Sequence, residues 1–413
     1  MLVLRARVLS PIDPNTVRFL DDALVVIGGT GRIVDVRPPD GTPVDADLRP
    51  GVLTPGFVDA HLHYPQVRKV GAATGPLLDW LEGEIFPEEA RFADPEHARH
   101  IAEVFCRSLA AAGTTLALVY GSVHPEATDI LFQALDRAGL RAIAGPVLMD
   151  EHCPEVLQLP PDQALPALEA LADRWHGHDG RLQVAVIPRF ALSCSEAMLA
   201  GAGRLSRERG LLATAHLAEN PEECALARDR FGTPDYLTIY EQAGLVHDRS
   251  VFAHCVHLSD SEWDRFAAAG ARVAHCPDSN FFLGSGHMPV EQVERRKIPL
   301  CVGTDVAAGR TFRVPRILSS AYDNAVAVGT PVDPRRLLWW GTRGGALALG
   351  ETRVGSIERG MSADLVWSDL PEWGDNVDCA PAWLLFDHDA PRPHRTWVRG
   401  RVVWDREGGG YPW

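Results

Sequence analysis

Eight short apolar segments, separated by longer segments with helical periodicity, constrain the fold of this chain more than any other feature. Each segment is rich in Val, Ile, Leu and Ala, as expected of a strand buried on both faces of a parallel sheet. Strands that alternate with helices in this way predict an α/β fold, a (β/α)8 TIM-type barrel. The alternative is a doubly wound open sheet, but no G-x-G-x-x-G follows the first segment. The segments are Val52–His63, Thr114–Gly121, Arg141–Leu148, Leu182–Leu192, Leu211–His216, Ser250–Cys255, Ala271–Cys276 and Pro299–Asp305.

The segments between these strands carry the start and stop signals of helices. Pro95–Ala112 follows Asp94, a good N-cap, has Pro at its first position and precedes Gly113. Three further helices are predicted from similar signals, and each precedes a glycine: Pro125–Ala138, Ser195–Arg209 and Ser259–Ala269.

The two ends of the chain differ from the middle. They contain short β-type segments punctuated by Pro, Gly and Asp, and neither end is long enough to bury much core by itself. We therefore expect both termini to form one small β-sandwich domain, from residues 1–54 and 351–413, beside a barrel of residues 55–350. The predicted strands of this domain are Leu2–Val8, Ala23–Gly28, Arg32–Arg37, Ala363–Ser368 and Arg395–Asp405.

Composition excludes several classes of protein. Lys and Arg total 40 against 55 Asp and Glu, a formal net charge of −15, whereas nucleic-acid binding needs clustered positive charge. The N-terminal apolar run is too short for a signal peptide, and no stretch approaches the length of a membrane span. The eight cysteines include no C-x-x-C, which favours reduced thiols over a disulfide framework. We expect a cytoplasmic protein that binds neither nucleic acid nor membranes.

Residues with metal-binding side chains stand at the ends of several predicted strands. His61 and His63 lie two residues apart, so both imidazoles project from the same face of the first strand. His216, His254 and Asp305 end three further strands, where barrel enzymes place their catalytic groups. One such residue alone would more often be structural, but five in one chain favour a metal site.

The types of ligand indicate the metal and its use. Histidine and carboxylate ligands without a thiolate suit zinc, with iron or another divalent metal as the alternative. Such a metal lowers the pKa of its water from 15.7 to about 7. Glu219, three residues after His216, is poorly placed to reach the same ion but can lie beside the bound water and carry a proton.

Longer motifs around these residues resemble a known family. They are similar to motifs of the amidohydrolase superfamily and, within it, of guanine deaminases, and the resemblance covers Thr54–Gly350 together with the terminal β segments. The more specific elements are Tyr64-Pro-Gln66, Pro188-Arg189-Phe190 and the Ser279–Gly286 run. The motifs are Pro55–Gln66, His216–Asn220, Ala253–Cys255, His275–Gly286 and Gly303–Val306.

The resemblance implies a zinc site and its proton-transfer groups. One Zn²⁺ per subunit, with Fe²⁺ as the alternative, would be held by His61, His63, His216 and Asp305. Three residues would be catalytic: His254 would hydrogen-bond the attacking hydroxide, Glu219 would move a proton to ring nitrogen N3, and Asp305 would help to deprotonate the water.

The resemblance also implies a purine site. Gln66 and Arg189 would bind the polar edge of the purine, because a side-chain amide donates and accepts while a guanidinium is a planar donor. Phe190 would pack against the ring. The implied substrate-binding set is Gln66, Arg189, Phe190, His216 and Glu219.

The implied reaction is the hydrolytic deamination of guanine to xanthine and ammonia. The resemblance also implies a homodimer. One alternative is a related aminohydrolase that acts on another amino-substituted heterocycle, a modified purine, a pterin or a triazine. The other is a catalytically inactive relative that serves as a scaffold.

Several further residues admit two interpretations. Asp278, Arg310 and Arg313 depart from the pattern of guanine deaminases, and they either pair with each other or contact the ring and change substrate choice. Leu77–Glu89 is either a lid over the site or ordinary packing. We expect structural roles for His275 and for the pair Trp339-Trp340.

Overall fold

The computed structural model describes residues 1–72, 75–371, 376–387 and 393–411. Its strands are β1 (Leu2–Asp13), β2 (Thr16–Ile27), β3 (Ile33–Arg37), β4 (Ala46–Pro55), β5 (Phe57–His63), β6 (Thr114–Tyr120), β7 (Arg141–Gly145), β8 (Val147–Leu148), β9 (Leu182–Pro188), β10 (Leu212–Leu217), β11 (Ser250–His254), β12 (Arg272–His275), β13 (Leu300–Val302), β14 (Leu365–Ser368), β15 (Arg395–Val398) and β16 (Arg401–Asp405). Its α-helices are α1 (Leu77–Trp80), α2 (Phe86–Glu89), α3 (Pro95–Ala112), α4 (Pro125–Ala138), α5 (Pro161–Trp175), α6 (Glu196–Arg209), α7 (Pro221–Phe231), α8 (Tyr236–Gln242), α9 (Asp260–Ala268), α10 (Pro277–Phe282), α11 (Val290–Arg296), α12 (Val314–Ala327), α13 (Pro334–Trp340), α14 (Arg343–Ala348) and α15 (Ala380–Phe386).

Eight parallel strands form the predicted barrel, in the order β5, β6, β7, β9, β10, β11, β12 and β13, with the short β8 paired to β9. The barrel closes between its first and last strands: the Asp305 amide donates to the His61 carbonyl oxygen at 2.7 Å, and the His63 amide donates to the Val306 carbonyl oxygen at 3.0 Å. The TIM-type barrel predicted from the alternation of strands and helices is thereby confirmed.

A buried carboxylate reinforces this closure. Asp59 in β5 accepts hydrogen bonds from the backbone amide of Thr304 at 2.9 Å and from its hydroxyl at 2.5 Å. Because Thr304 precedes Asp305, the bond aligns the chain after β13 with β5. The residues that end these two strands are therefore held side by side.

The helices follow the local signals in the sequence. The side chain of Asp94 accepts from the Glu96 amide at the start of α3, and Gly113 after its end has a φ of 81°, a left-handed conformation that favours glycine. Ser195 caps α6 and Ser259 caps α9 through their side chains. The predicted bounds of α3 and α4 are confirmed, and those of α6 and α9 differ only at the capping residues.

Three predicted strands are divided in the structure, and one of them, Arg395–Asp405, contains both β15 and β16. The segment Val52–His63 contains the end of β4 and all of β5, separated at Gly56, where a Cβ would lie 2.0 Å from the Thr115 hydroxyl oxygen. The segment Arg141–Leu148 is divided at Pro146, which has no amide hydrogen to donate to a neighbouring strand.

Strands from both termini form one seven-stranded sheet, in the order β16, β15, β14, β4, β1, β2, β3. Strand β4 runs parallel to β1, and the other pairs are antiparallel. The sheet has its own apolar core, to which β1 contributes Leu4 and Val8 and the C-terminal strands contribute Leu365 and Trp397. Among the described residues, no helix combines the length and the apolar character needed to cross a membrane.

Candidate active site

Five polar side chains from four barrel strands meet at one end of the barrel. His61, His216, His254 and Asp305 are buried, and each offers one possible ligand atom within 4.8 Å of the others. His63 joins them, because its Nε2 lies 3.2 Å from Nε2 of His216 and 3.4 Å from Oδ1 of Asp305. The structure therefore brings together all four predicted ligands and His254.

The geometry of these side chains fits a divalent metal ion. Ligands about 2.05 Å from one ion at tetrahedral angles lie about 3.3 Å apart, and Nε2 of His61 lies 3.3 Å from Oδ1 of Asp305. Both ring nitrogens of His61 are buried without a hydrogen-bond partner, an arrangement that costs free energy unless another group satisfies them. Burial lowers the pKa of His63 to about 4, so its imidazole is neutral at pH 7 and can act as a ligand.

Hydrogen bonds behind the cluster orient two of the imidazoles. Nδ1 of His216 donates to the carbonyl oxygen of Arg189 at 2.6 Å, and Nδ1 of His254 donates to Oδ1 of Asn280 at 2.9 Å. Each Nε2 is thereby left as a free acceptor or ligand. Sequence reasoning did not identify Asn280, although it lies within the Ser279–Gly286 motif.

The backbone at the site is strained. His254 and Asp305 have φ values of 71° and 48°, in the left-handed region that costs residues other than glycine about 1–3 kcal/mol. Such conformations persist only where the surrounding structure holds them, and they occur frequently at active sites. Here they turn the chain at the strand ends, where these two side chains enter the cluster.

Glu219 lies beside the cluster, two residues after β10. Its Oε2 lies 3.4 Å from Nε2 of His254, and its Oε1 accepts from the Ser285 hydroxyl at 3.4 Å. Burial raises the pKa of Glu219 well above its ordinary value, and the carboxylates of Asp305 and Glu223 raise it further. The group is therefore suited to carry a proton at neutral pH.

A cavity opens onto these groups. All five predicted substrate-binding residues line it. Leu77, Trp80 and Leu81 also line it, so the segment predicted as a lid or as packing forms part of its wall. The described lining is His63, Gln66, Leu77, Trp80, Leu81, Arg189, Phe190, His216, Glu219, Glu223, Leu283, Asp305 and Ala308.

A residue that sequence reasoning did not identify connects two residues of the cavity wall. Glu89, the last residue of α2, accepts from Nε2 of Gln66 at 2.9 Å and from the guanidinium of Arg189 at 2.6 Å. The amide oxygen of Gln66 accepts in turn from the Ala307 amide at 3.2 Å. Glu89 ends the segment Leu77–Glu89, and no local pattern marked it as a polar partner.

Two of the three charged residues that depart from the family pattern, Asp278 and Arg310, pair with each other. Asp278 is 1% exposed and accepts from the backbone amide of Arg310 at 2.8 Å and from its guanidinium at 2.6 Å. Arg313 lies at the N-terminus of α12. None of the three is among the described residues that line the cavity, which favours the structural interpretation.

The remaining residues singled out in the sequence lie outside the cluster. His275 is fully buried at the end of β12, and burial lowers its pKa to about 3. Trp340 is buried in the main core, and Trp339 packs against that core. These positions fit the structural roles expected for them.

Residues 52–403 match the model of the amidohydrolase family. This chain belongs to the amidohydrolase family. Guanine deaminase of Escherichia coli (strain K12) is 38% identical over 411 residues, which cover 95% of this chain and 93% of that protein. The solved structure of E. coli guanine deaminase superposes on this amidohydrolase with a TM-score of 0.92 and 34% identity, covering 98% of this chain and 100% of the other.

Two further solved structures contain bound ligands. Guanine deaminase from C. acetobutylicum, with guanine bound in the active site, has a TM-score of 0.92 and 26% identity, covering 98% of this chain and 100% of the other. An adenosine deaminase from Xanthomonas campestris, with bound zinc, has a TM-score of 0.86 and 28% identity, covering 97% and 92%. The similarity to these amidohydrolases extends over nearly the whole chain.

Proposed function

We propose that this chain is a guanine deaminase, which hydrolyses guanine to xanthine and ammonia. The observation that carries the proposal is one cavity lined by two kinds of group. Its lining includes His63, His216 and Asp305 of the cluster together with Glu219, and it also includes the hydrogen-bonding side chains Gln66 and Arg189. Guanine deaminases among the relatives, one of them with guanine bound, support the same substrate.

The side chains of Gln66 and Arg189 suit the edge of a purine. The guanidinium of Arg189 is a fixed planar donor for the O6 carbonyl, and the amide of Gln66 can both donate and accept. Phe190, which is 6% exposed, supplies an aromatic surface for the ring. In the proposed complex these contacts direct C2 of guanine toward the metal cluster.

We propose that one zinc ion per subunit is held by His61, His63, His216 and Asp305, with Fe²⁺ as the alternative. The nitrogen and oxygen donors suit zinc, and the bound zinc of the related adenosine deaminase supports the choice. Such an ion supplies Lewis acidity, which lowers the pKa of water from 15.7 to about 7.

Three side chains assist the proposed reaction, and two of them, Asp305 and Glu219, move protons. Asp305 helps to take the proton that water loses, and Nε2 of His254, oriented by Asn280, accepts a hydrogen bond from the attacking oxygen. Glu219, with its raised pKa, donates a proton to ring nitrogen N3. The hydroxide oxygen adds to C2, Asp305 passes its proton to the amino nitrogen, and the bond from C2 to that nitrogen breaks so that ammonia leaves. The new hydroxyl then returns a proton to the Glu219 carboxylate and becomes the C2 carbonyl of xanthine.

A panel of amino-substituted heterocycles tests the substrate. The purified, zinc-loaded protein is given guanine, adenine, a pterin and a triazine, and ammonia release is measured for each. We expect guanine to have the highest kcat/KM. Preference for another member would identify a related aminohydrolase, and absence of turnover in metal-loaded protein would favour the inactive scaffold.

Glu219→Gln tests the mechanism. The variant is expected to lose about 10²–10⁴-fold in kcat, the usual contribution of a proton-transfer group, while its metal content and Tm are retained. The matched control is Glu222→Gln, which changes an exposed carboxylate three residues further along and should keep normal turnover. Full activity in Glu219→Gln would contradict the assigned role.

We also propose a cytoplasmic homodimer. The dimer is supported by the family resemblance, and analytical ultracentrifugation would test it. The location is supported by the cysteines, since all eight are free thiols, as is usual in reducing compartments.

A further inference from the structure

We infer that Glu89 is a positioning residue, which holds the side chains of Gln66 and Arg189 and thereby sets the hydrogen bonds that they offer to the purine edge. This inference rests on the proposed function and deepens it, because it names what determines recognition of the O6 side of the substrate. Glu89 itself is not among the described residues that line the cavity.

The carboxylate of Glu89 serves each partner with a separate oxygen. Oε1 accepts from Nε2 of Gln66 at 2.9 Å, and Oε2 accepts from the guanidinium of Arg189 at 2.6 Å. Glu89 is 5% exposed and Arg189 is 3% exposed, so little water competes for these bonds. One buried group thereby links the turn after β5 to the end of β9.

This link fixes the orientation of the Gln66 amide. Its nitrogen faces the Glu89 carboxylate, and its oxygen accepts from the Ala307 amide at 3.2 Å. A flipped amide would place N–H against N–H at Ala307 and oxygen against oxygen at Glu89. Gln66 is left with one N–H donor and one lone pair for a ligand.

Glu89 also orients Arg189 and balances its charge. The bonded nitrogen of the guanidinium is held, and the remaining N–H groups are left for an acceptor on the ligand. The same guanidinium lies 5.5 Å from the ring centre of Phe86, which supports its plane. With Gln in place of Glu89, one acceptor oxygen would be replaced by an NH2 donor, so Gln66 and Arg189 could no longer both be held.

The neighbouring residue Glu88 provides a matched control. It has the same charge and the same 5% exposure, but it pairs with Arg91 at 3.1 Å, Arg68 at 3.7 Å and His97 at 3.5 Å. None of these residues is among the described lining of the cavity. Glu88→Gln therefore changes a buried ion pair in the same segment without touching Gln66 or Arg189.

The test compares two competitive inhibitors that differ at position 6. Hypoxanthine carries the O6 carbonyl, and purine does not. In Glu89→Gln, we expect the Ki of hypoxanthine and the KM of guanine to rise about 10–100-fold, the usual cost of lost positioning, while the Ki of purine changes less than about threefold. Glu88→Gln should leave both Ki values unchanged. Should Glu89→Gln fail to fold, Glu89→Asp, which keeps the charge but shortens its reach, should show the same selective loss.

The outcomes separate the two proposals. Equal weakening of both inhibitors, or no weakening of either, would overturn the role of Glu89 while leaving guanine deamination intact. A wild-type protein without guanine deaminase activity would overturn the proposed function, and the role of Glu89 with it. A selective loss for hypoxanthine would support both.

Discussion

Replacing Gly303 by alanine tests how the closing strand of the barrel places His61. A Cβ at residue 303 would lie 2.6 Å from Cβ of His61, 2.9 Å from its carbonyl oxygen and 3.0 Å from Sγ of Cys276. Two of these three atoms belong to a buried metal-ligand candidate, so no flexible side chain can move aside. Two strands approach each other so closely here that residue 303 has room for a glycine but not for a Cβ.

The expected displacement follows from these distances. Carbon atoms in contact lie about 3.5–4.0 Å apart, so His61 or residue 303 must move by at least about 0.9 Å. Ligand and catalytic geometries tolerate about 0.5 Å, and overpacking of a core costs about 1–3 kcal/mol. We expect the free energy of unfolding to fall by that amount, and the metal affinity and kcat/KM to fall about 10–100-fold.

Three measurements check this prediction: urea unfolding, metal content after dialysis against a chelator, and kcat/KM for guanine. Gly29→Ala is the control, because a Cβ there would meet nothing within 4 Å. Wild-type metal content and activity in Gly303→Ala would refute the argument that this close approach positions His61.

Two further predictions concern polar pairs near the site. Asp278→Asn should lower the free energy of unfolding by about 1 kcal/mol at pH 7, a small value because Arg310 is 45% exposed and solvent screens the pair. Burial raises the pKa of Asp278, but hydrogen bonds from Arg310 outweigh this effect and leave the pKa below its ordinary value of 3.8. The stabilisation is therefore present above about pH 4 and is lost as the pH falls through the lowered pKa. If the difference in unfolding free energy between the variant and the wild type stayed constant in urea titrations from pH 7 to pH 3, this reasoning would be contradicted. Asn280→Leu should lower kcat about 10–100-fold, because Nδ1 of His254 loses its hydrogen-bond acceptor. Asn280→Asp keeps an oxygen at this position and should lower kcat less. Equal losses of kcat in the two variants would show that the acceptor does not matter.

Local signals in the sequence predicted the regular elements well. The ends of α3 depend on the Asp94 cap and on the left-handed Gly113, both properties of a few adjacent residues. The barrel strands were recognised because strands buried on both faces need continuous apolar runs. The division of Val52–His63 was not predicted, because both sides of Gly56 are equally apolar and only tertiary packing assigns them to different sheets.

The meeting of the candidate metal ligands was also predictable. His61, His216, His254 and Asp305 stand near the ends of parallel strands, and in a barrel those ends converge on one face. The residue types then indicate the chemistry, because imidazole and carboxylate bind divalent metals.

The partners of these residues were decided only by the tertiary structure. Glu89 and Arg189 are 100 residues apart, and Asp278 and Arg310 are 32 apart; nothing in the neighbourhood of either residue specifies its partner. Sequence by itself determined which segments are strands and helices and which side chains reach the barrel mouth, because those properties depend on adjacent residues and on periodicity. Tertiary structure decided which buried polar atoms satisfy each other, because a hydrogen bond forms only where packing brings donor and acceptor within about 3 Å.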